Sequence, residues 1–109
     1  MDFLFEALWD IALTNPEGFT VSLQLEWPTS GYVVAYKETQ NSFGENGLRK
    51  CLHHAIDHNG WIGGWKNQDG MLQFDSCMIV AEKEKAINLG NENKQIAIFC
   101  LDCFKEYYL

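Results

Sequence analysis

Phe19-Thr20-Val21-Ser22-Leu23-Gln24-Leu25-Glu26-Trp27 alternates apolar and polar side chains without interruption, the period of two that marks a strand with one buried and one wet face. Pro28-Thr29-Ser30-Gly31 follows as a turn, and Tyr32-Val33-Val34-Ala35-Tyr36-Lys37 is rich in β-formers. The spacing therefore predicts a hairpin over residues 19–37. Downstream, Glu38 to Ser42 is a polar loop, and Ser42-Phe43-Gly44-Glu45 has the Ser-x-x-Glu form of a capping box. The helix it opens carries Leu48, Cys51, Leu52, Ala55 and Ile56 as one apolar stripe, and Asn59-Gly60 is its stop.

A second hairpin is expected where Trp61-Ile62-Gly63-Gly64-Trp65 and Met71 to Val80 flank the turn-prone Asn67-Gln68-Asp69-Gly70. Glu82 to Asn93 reads as a short charged helix, Gln95 to Cys100 as a strand, and Phe104 to Leu109 as an edge strand. Upstream of the first hairpin, Leu4, Leu8 and Ile11 recur at helical spacing, with Phe5, Trp9 and Ala12 widening the stripe, so residues 2–14 form a helix ended by Asn15-Pro16-Glu17-Gly18. The order α-β-β-α-β-β-α-β predicts an α+β fold, a mainly antiparallel sheet of about five strands with helices on one face. The expected organisation is a single domain over 1–109: N-terminal helix 2–14, core 18–102 and C-terminal edge segment 103–109.

With 109 residues, 47% of them hydrophobic, the chain has enough apolar mass for a core. Its apolar runs fall far short of the roughly 20 residues that cross a bilayer, and the acids of Met1-Asp2-Phe3-Leu4-Phe5-Glu6 stand where a signal peptide carries a basic leader. The expected location is cytoplasmic. Fifteen acids against eight Lys and Arg give a net charge of −7, which disfavours direct nucleic-acid binding. The first Lys or Arg is Lys37, so Asp2, Glu6, Asp10, Glu17 and Glu26 precede any neutralising residue. Asp2, Glu6 and Asp10 also repeat every four residues, which aligns them along one side of the first helix. Two readings stay open: a solvated face that keeps a small protein soluble, or a docking face for a basic partner.

Trp61, Trp65, Tyr32 and Tyr36 are candidates for an aromatic contact patch, since Trp and Tyr are enriched in binding hot spots, with core packing expected for at least two of them. Gly63-Gly64 inside a strand signals a bulge or a close backbone approach, and it lacks the Lys-Ser or Lys-Thr step of a phosphate loop. Cys51, Cys77, Cys100 and Cys103 complete neither a disulfide framework nor a zinc motif, so reduced, dispensable thiols are expected. His54 and His58 have the i, i+4 spacing of a metal pair, as do His53 and Asp57, but no H-E-x-x-H is present, and neither a metal nor a cofactor is expected. Asp75 interrupts an apolar run, where a carboxylate must be solvated, paired or hydrogen-bonded. No motif supplies a nucleophile and its base, so the chain is not expected to be an enzyme.

Gly31-Tyr32-Val33-Val34, the Leu48 to Ala55 helix with its His54-Ala55, Ile62-Gly63-Gly64-Trp65, Phe74-Asp75, Glu84-Lys85-Ala86-Ile87 and Gln95-Ile96-Ala97-Ile98-Phe99 occur in an order that resembles small domains encoded by phages and other bacterial mobile elements. The resemblance covers roughly residues 18 to 102, and its acid after the last strand corresponds to Asp102 or is displaced by Cys100. It implies a genomic setting in which small acidic proteins inhibit host defence, anti-CRISPR proteins among them. It implies no site residues. The resulting expectation is a stoichiometric inhibitor that sets carboxylates and aromatics against a basic protein surface, such as the nucleic-acid channel of an RNA-guided nuclease. The alternative is a small-ligand or accessory enzymatic domain with a polar pocket built from Glu38 to Ser42, Asp75 and the histidines.

Overall fold

A computed structural model describes residues 2–109, with the side chain of Asp2 outside the description. Three helices, α1 (Asp2–Thr14), α2 (Gly44–Ile56) and α3 (Lys83–Glu92), accompany seven strands: β1 (Phe19–Ser22), β2 (Tyr32–Ala35), β3 (Ser42–Phe43), β4 (Trp61–Lys66), β5 (Leu72–Val80), β6 (Ala97–Cys100) and β7 (Lys105–Tyr108). The strands form one antiparallel sheet in the order β1-β4-β5-β2-β6-β7, with short β3 also paired to β5. The α+β class is as expected; β3 and the C-terminal edge strand bring the count above five.

The registers put Val21, Ile62, Phe74, Val34, Met78 and Val80 on the same face. All three helices cover that face. Leu8 of α1 and Leu48 and Leu52 of α2 are fully buried with Val21, Ile62 and Phe74, while Ala86 of α3 packs with Val34, Met78 and Ile98. Each buried Leu contributes about 2 kcal/mol of hydrophobic stabilisation. Ile56, expected in the α2 stripe, is instead exposed at the last position of that helix.

The long first strand ends early, at Ser22. Ser22 Oγ accepts hydrogen bonds from the N–H groups of Gln24 (3.2 Å) and Glu26 (3.1 Å), and the Leu25 N–H donates to the Ser22 carbonyl. Leu25 takes a left-handed φ of 64°, so the chain curls and returns Leu23 and Leu25 to the core. The alternation there records burial in a turn. Nor do β1 and β2 form a hairpin: β1 pairs with β4, and β2 lies between β5 and β6. The capping box is not formed either, because Ser42 Oγ donates to the Thr39 carbonyl at 2.7 Å and Phe43 occupies the N-cap of α2 without a side-chain cap.

The β4–β5 hairpin forms as expected. Asn67 Oδ1 accepts from the N–H groups of Asp69 and Met71, both at 3.0 Å, and Gly70 supplies the left-handed φ of 80°. Gly63 and Gly64 explain themselves by side. On the helix-covered face a Cβ on Gly64 would lie 2.6 Å from Phe19 Cε1, so its absence lets Phe19 and Phe74 meet edge-to-face with centroids 6.4 Å apart. On the open face a Cβ on Gly63 would lie 2.5 Å from Asp75 Oδ1.

Candidate functional site

Glu6 and Asp10, one helical turn apart and both exposed on α1, stand at a groove between α1 and α2 of about 570 Å³. Helical packing puts Glu45 and Arg49 of α2 in the same groove, with Phe5 and Trp9 between the two helices. The indole of Trp9 stacks on Phe5 (centroids 6.0 Å, interplanar angle 11°) and reaches Phe74 in the core. The Arg49 guanidinium lies 4.3 Å from the Phe5 ring centroid. Three carboxylates and one guanidinium around an aromatic floor leave the groove net negative, a chemistry suited to lysine and arginine side chains. The remaining expected acids do not line this groove. Glu17 is exposed in the turn after α1, Glu26 lines a separate recess of about 350 Å³ beside Trp61 and His58, and the Asp2 side chain lies outside the described residues.

The four aromatic candidates do not form one patch. Tyr32 pairs with Val80 on the helix-covered face and sits 6.3 Å from the Tyr107 ring, while Tyr36, just past β2, packs against His54 and His58 with centroids 4.7 and 5.2 Å away. Trp61 and Trp65 are half-buried on the opposite face, two residues either side of Gly63. Strand alternation, fixed by register, separates the pairs.

His54 and His58 stack face to face at 3.7 Å. Their Nδ1 atoms are already engaged, one with Ser76 Oγ at 2.8 Å and the other with the His54 carbonyl at 2.7 Å, so the pair does not converge on a metal. Among the described residues no group of three metal-ligating side chains occurs, and His53 is exposed to solvent. Glu38 Oε1 lies 3.3 Å from His54 Nε2, but off hydrogen-bonding geometry. Ser76, His54 and Glu38 thus follow the order of a nucleophile, a base and an acid. Ser76 is 0% exposed beneath α2, however, so no substrate atom reaches its hydroxyl in this conformation. Burial, then the neighbouring His58, hold the His54 imidazole below its ordinary pKa, opposed by Glu38.

Asp75 lies on the other side of the sheet. The neighbouring Gly63 N–H and Cys77 thiol favour its charged form, yet burial outweighs both and pushes its pKa up to about 7. Asp75 and the histidines therefore face away from each other, and the sheet prevents them from sharing one pocket. Cys51 and Cys77 are buried free thiols, Cys51 pushed up to about 11 by burial. Cys100 and Cys103, expected to be reduced, are instead joined as a disulfide in the β6–β7 turn, where the three-residue spacing returns the chain upon itself. Asp102 in that turn accepts a hydrogen bond from the Gly31 N–H at 3.1 Å, tying the turn to the start of β2.

Trp9 and Glu45 escaped the reading of function from sequence because each already had a local explanation, Trp9 in a helical stripe and Glu45 in a capping box. The surviving signal was the four-residue repeat of acids on α1. No family model matches the chain, and no curated protein or solved structure matches it.

Proposed function

We propose that this chain is a non-catalytic protein-binding domain that docks a basic surface in the α1–α2 groove. The observation that carries the reading is the convergence of Glu6, Asp10 and Glu45 around the Trp9 and Phe5 rings. A lysine or arginine entering the groove gains carboxylate partners and an indole face together, and the aromatic floor supplies the desolvated anchor that a charged rim lacks. The resemblance to mobile-element domains extends this to a partner class: the nucleic-acid channel of a host RNA-guided nuclease, a basic surface that an acidic protein occupies in place of nucleic acid.

The test is a titration of nuclease activity with the purified protein, at low and at high salt. Inhibition is expected to saturate at a fixed molar ratio and to weaken with salt, because exposed charge pairs are screened over about 8 to 10 Å at physiological ionic strength. Turnover of the nuclease or its guide at sub-stoichiometric protein overturns the non-catalytic reading. Full inhibition by the E6K/D10K/E45K variant removes the groove from it.

A further inference from the structure

The helix-free face carries a second constellation, independent of the acidic groove. On β4 the side chains of Trp61 and Trp65 emerge on this face with Gly63 midway between them, and the register sets Thr20 of β1 and Asp75 of β5 on either side of that glycine. Four same-face positions thus surround a floor that has no side chain. Two strand repeats separate the tryptophan Cα atoms by about 13 Å, with Gly63 midway between them. Both indoles are half-buried, firmly seated but still open to solvent. Asp75 leans over the floor, its Oδ1 2.5 Å from the position a Gly63 Cβ would take. Among the described residues no Lys, Arg or His lies within 4.0 Å of that carboxylate. A half-buried carboxylate without a cation is costly, and a packed apolar site could have avoided it.

We propose that the Trp61–Gly63–Trp65 slot, with Asp75 as its charge, is a binding site for a methylated ammonium group. The carboxylate supplies the opposite charge and the two indoles supply cation–π walls. The number of donors decides between cations. A guanidinium brings five N–H groups, whereas the same-face side chains beside Gly63 offer as acceptors only the Asp75 carboxylate and the Thr20 hydroxyl. Donors left unmatched once a bound cation gives up its water cost binding energy. A quaternary or trimethylated nitrogen has no donor to satisfy and little hydration to lose. The same chemistry is carried by a free choline-type molecule and by a trimethyl-lysine side chain.

The protein has tryptophans at 9, 27, 61 and 65, whose indole N–H signals are resolved by nitrogen–proton NMR. Titration with tetramethylammonium chloride is expected to shift the Trp61 and Trp65 indoles and the Gly63 amide saturably, leaving Trp9 and Trp27 in place. Guanidinium chloride and potassium chloride at matched ionic strength are expected to give no saturable shift. Asp75→Asn and Trp65→Leu should each weaken tetramethylammonium binding by about tenfold or more while the remaining spectrum stays folded. Absence of saturation, equal response to guanidinium, or unchanged affinity in Asp75→Asn overturns the proposal. Choline and a trimethyl-lysine peptide then separate the two sources by their relative affinities. Failure here leaves the α1–α2 groove untouched, since none of its residues belongs to the slot.

Discussion

Asp75 and His54 impose opposite pH dependences on stability. The Asp75 carboxyl has an ordinary pKa of 3.8 and one of about 7 in the fold, so between those values the folded state holds a proton that the unfolded chain releases. Stability therefore falls as pH rises from about 3.8 to about 7 and stays lowered above it. His54 has its pKa held below 6.5 by burial, so the unfolded chain takes up the proton first and stability falls as pH drops below 6.5. Asp75→Asn is expected to abolish the first slope and leave the second. At about 1.4 kcal/mol for each pH unit that separates the folded and unfolded values, the gain at pH 8 is roughly 2 to 4 kcal/mol, read by urea denaturation across pH 4 to 8. A variant less stable than the parent at pH 8 would show that the carboxylate is better solvated than its position over Gly63 implies. Gly64 gives a second test at this scale. Gly64→Ala drives a methyl group toward Phe19 and Phe74, with contacts of 2.6 Å to Phe19 Cε1 and 3.0 Å to Phe74 Cδ1. Overpacking of that kind costs about 1 to 3 kcal/mol, measurable as a lower urea midpoint at unchanged slope.

What the elements show is the reach of local signals. The β4–β5 hairpin was legible because its determinants, Asn67 and Gly70, lie inside the turn they make. The partner of β1 was not, because Phe19 pairs with Gly64 far along the chain, and Tyr32 of β2 likewise pairs with the distant Val80 and Cys100. Phe19 to Trp27 misled for a related reason: period two reports alternate burial, and a Ser22-centred turn with Leu25 at φ 64° buries alternate residues as a strand does. Ser22→Ala deprives the Gln24 and Glu26 N–H groups of their acceptor and is expected to cost about 1 to 2 kcal/mol. Ser42 and Glu45 offer a sharper distinction. In a capping box the two side chains satisfy each other's backbone and a double-mutant cycle returns a coupling energy. Here Ser42 Oγ bonds the Thr39 carbonyl, and Glu45 belongs to the α1–α2 groove. The cycle Ser42→Ala with Glu45→Ala is therefore expected to close within about 0.3 to 0.5 kcal/mol. A larger coupling would restore the box.

At the scale of the whole molecule the sheet sorts the chemistry: charge and histidines lie with the helices, and Asp75 with Trp61 and Trp65 lies on the open face. The acidic side of α1 was legible as a four-residue repeat, but its meaning depended on which helix would pack beside it, and only the tertiary placement of α2 adds Glu45 and frames Trp9. That arrangement separates two roles within one groove. Glu6 and Asp10 are exposed, so they act on an approaching basic partner through the field and chiefly set the encounter rate. Trp9 is half-buried, stacked on Phe5 and backed by Phe74, so its contacts form only after docking and chiefly set the lifetime. With the partner immobilised and the protein in flow, Glu6→Lys with Asp10→Lys is expected to slow association about tenfold or more, an effect that fades as salt rises, with dissociation changed little. Trp9→Leu keeps an apolar side chain against the core but removes the indole face, and it is expected to speed dissociation with a near-parental association rate. Should the charge reversals act on dissociation alone, the acids would be direct contacts within a desolvated interface rather than the steering field their exposure on α1 implies.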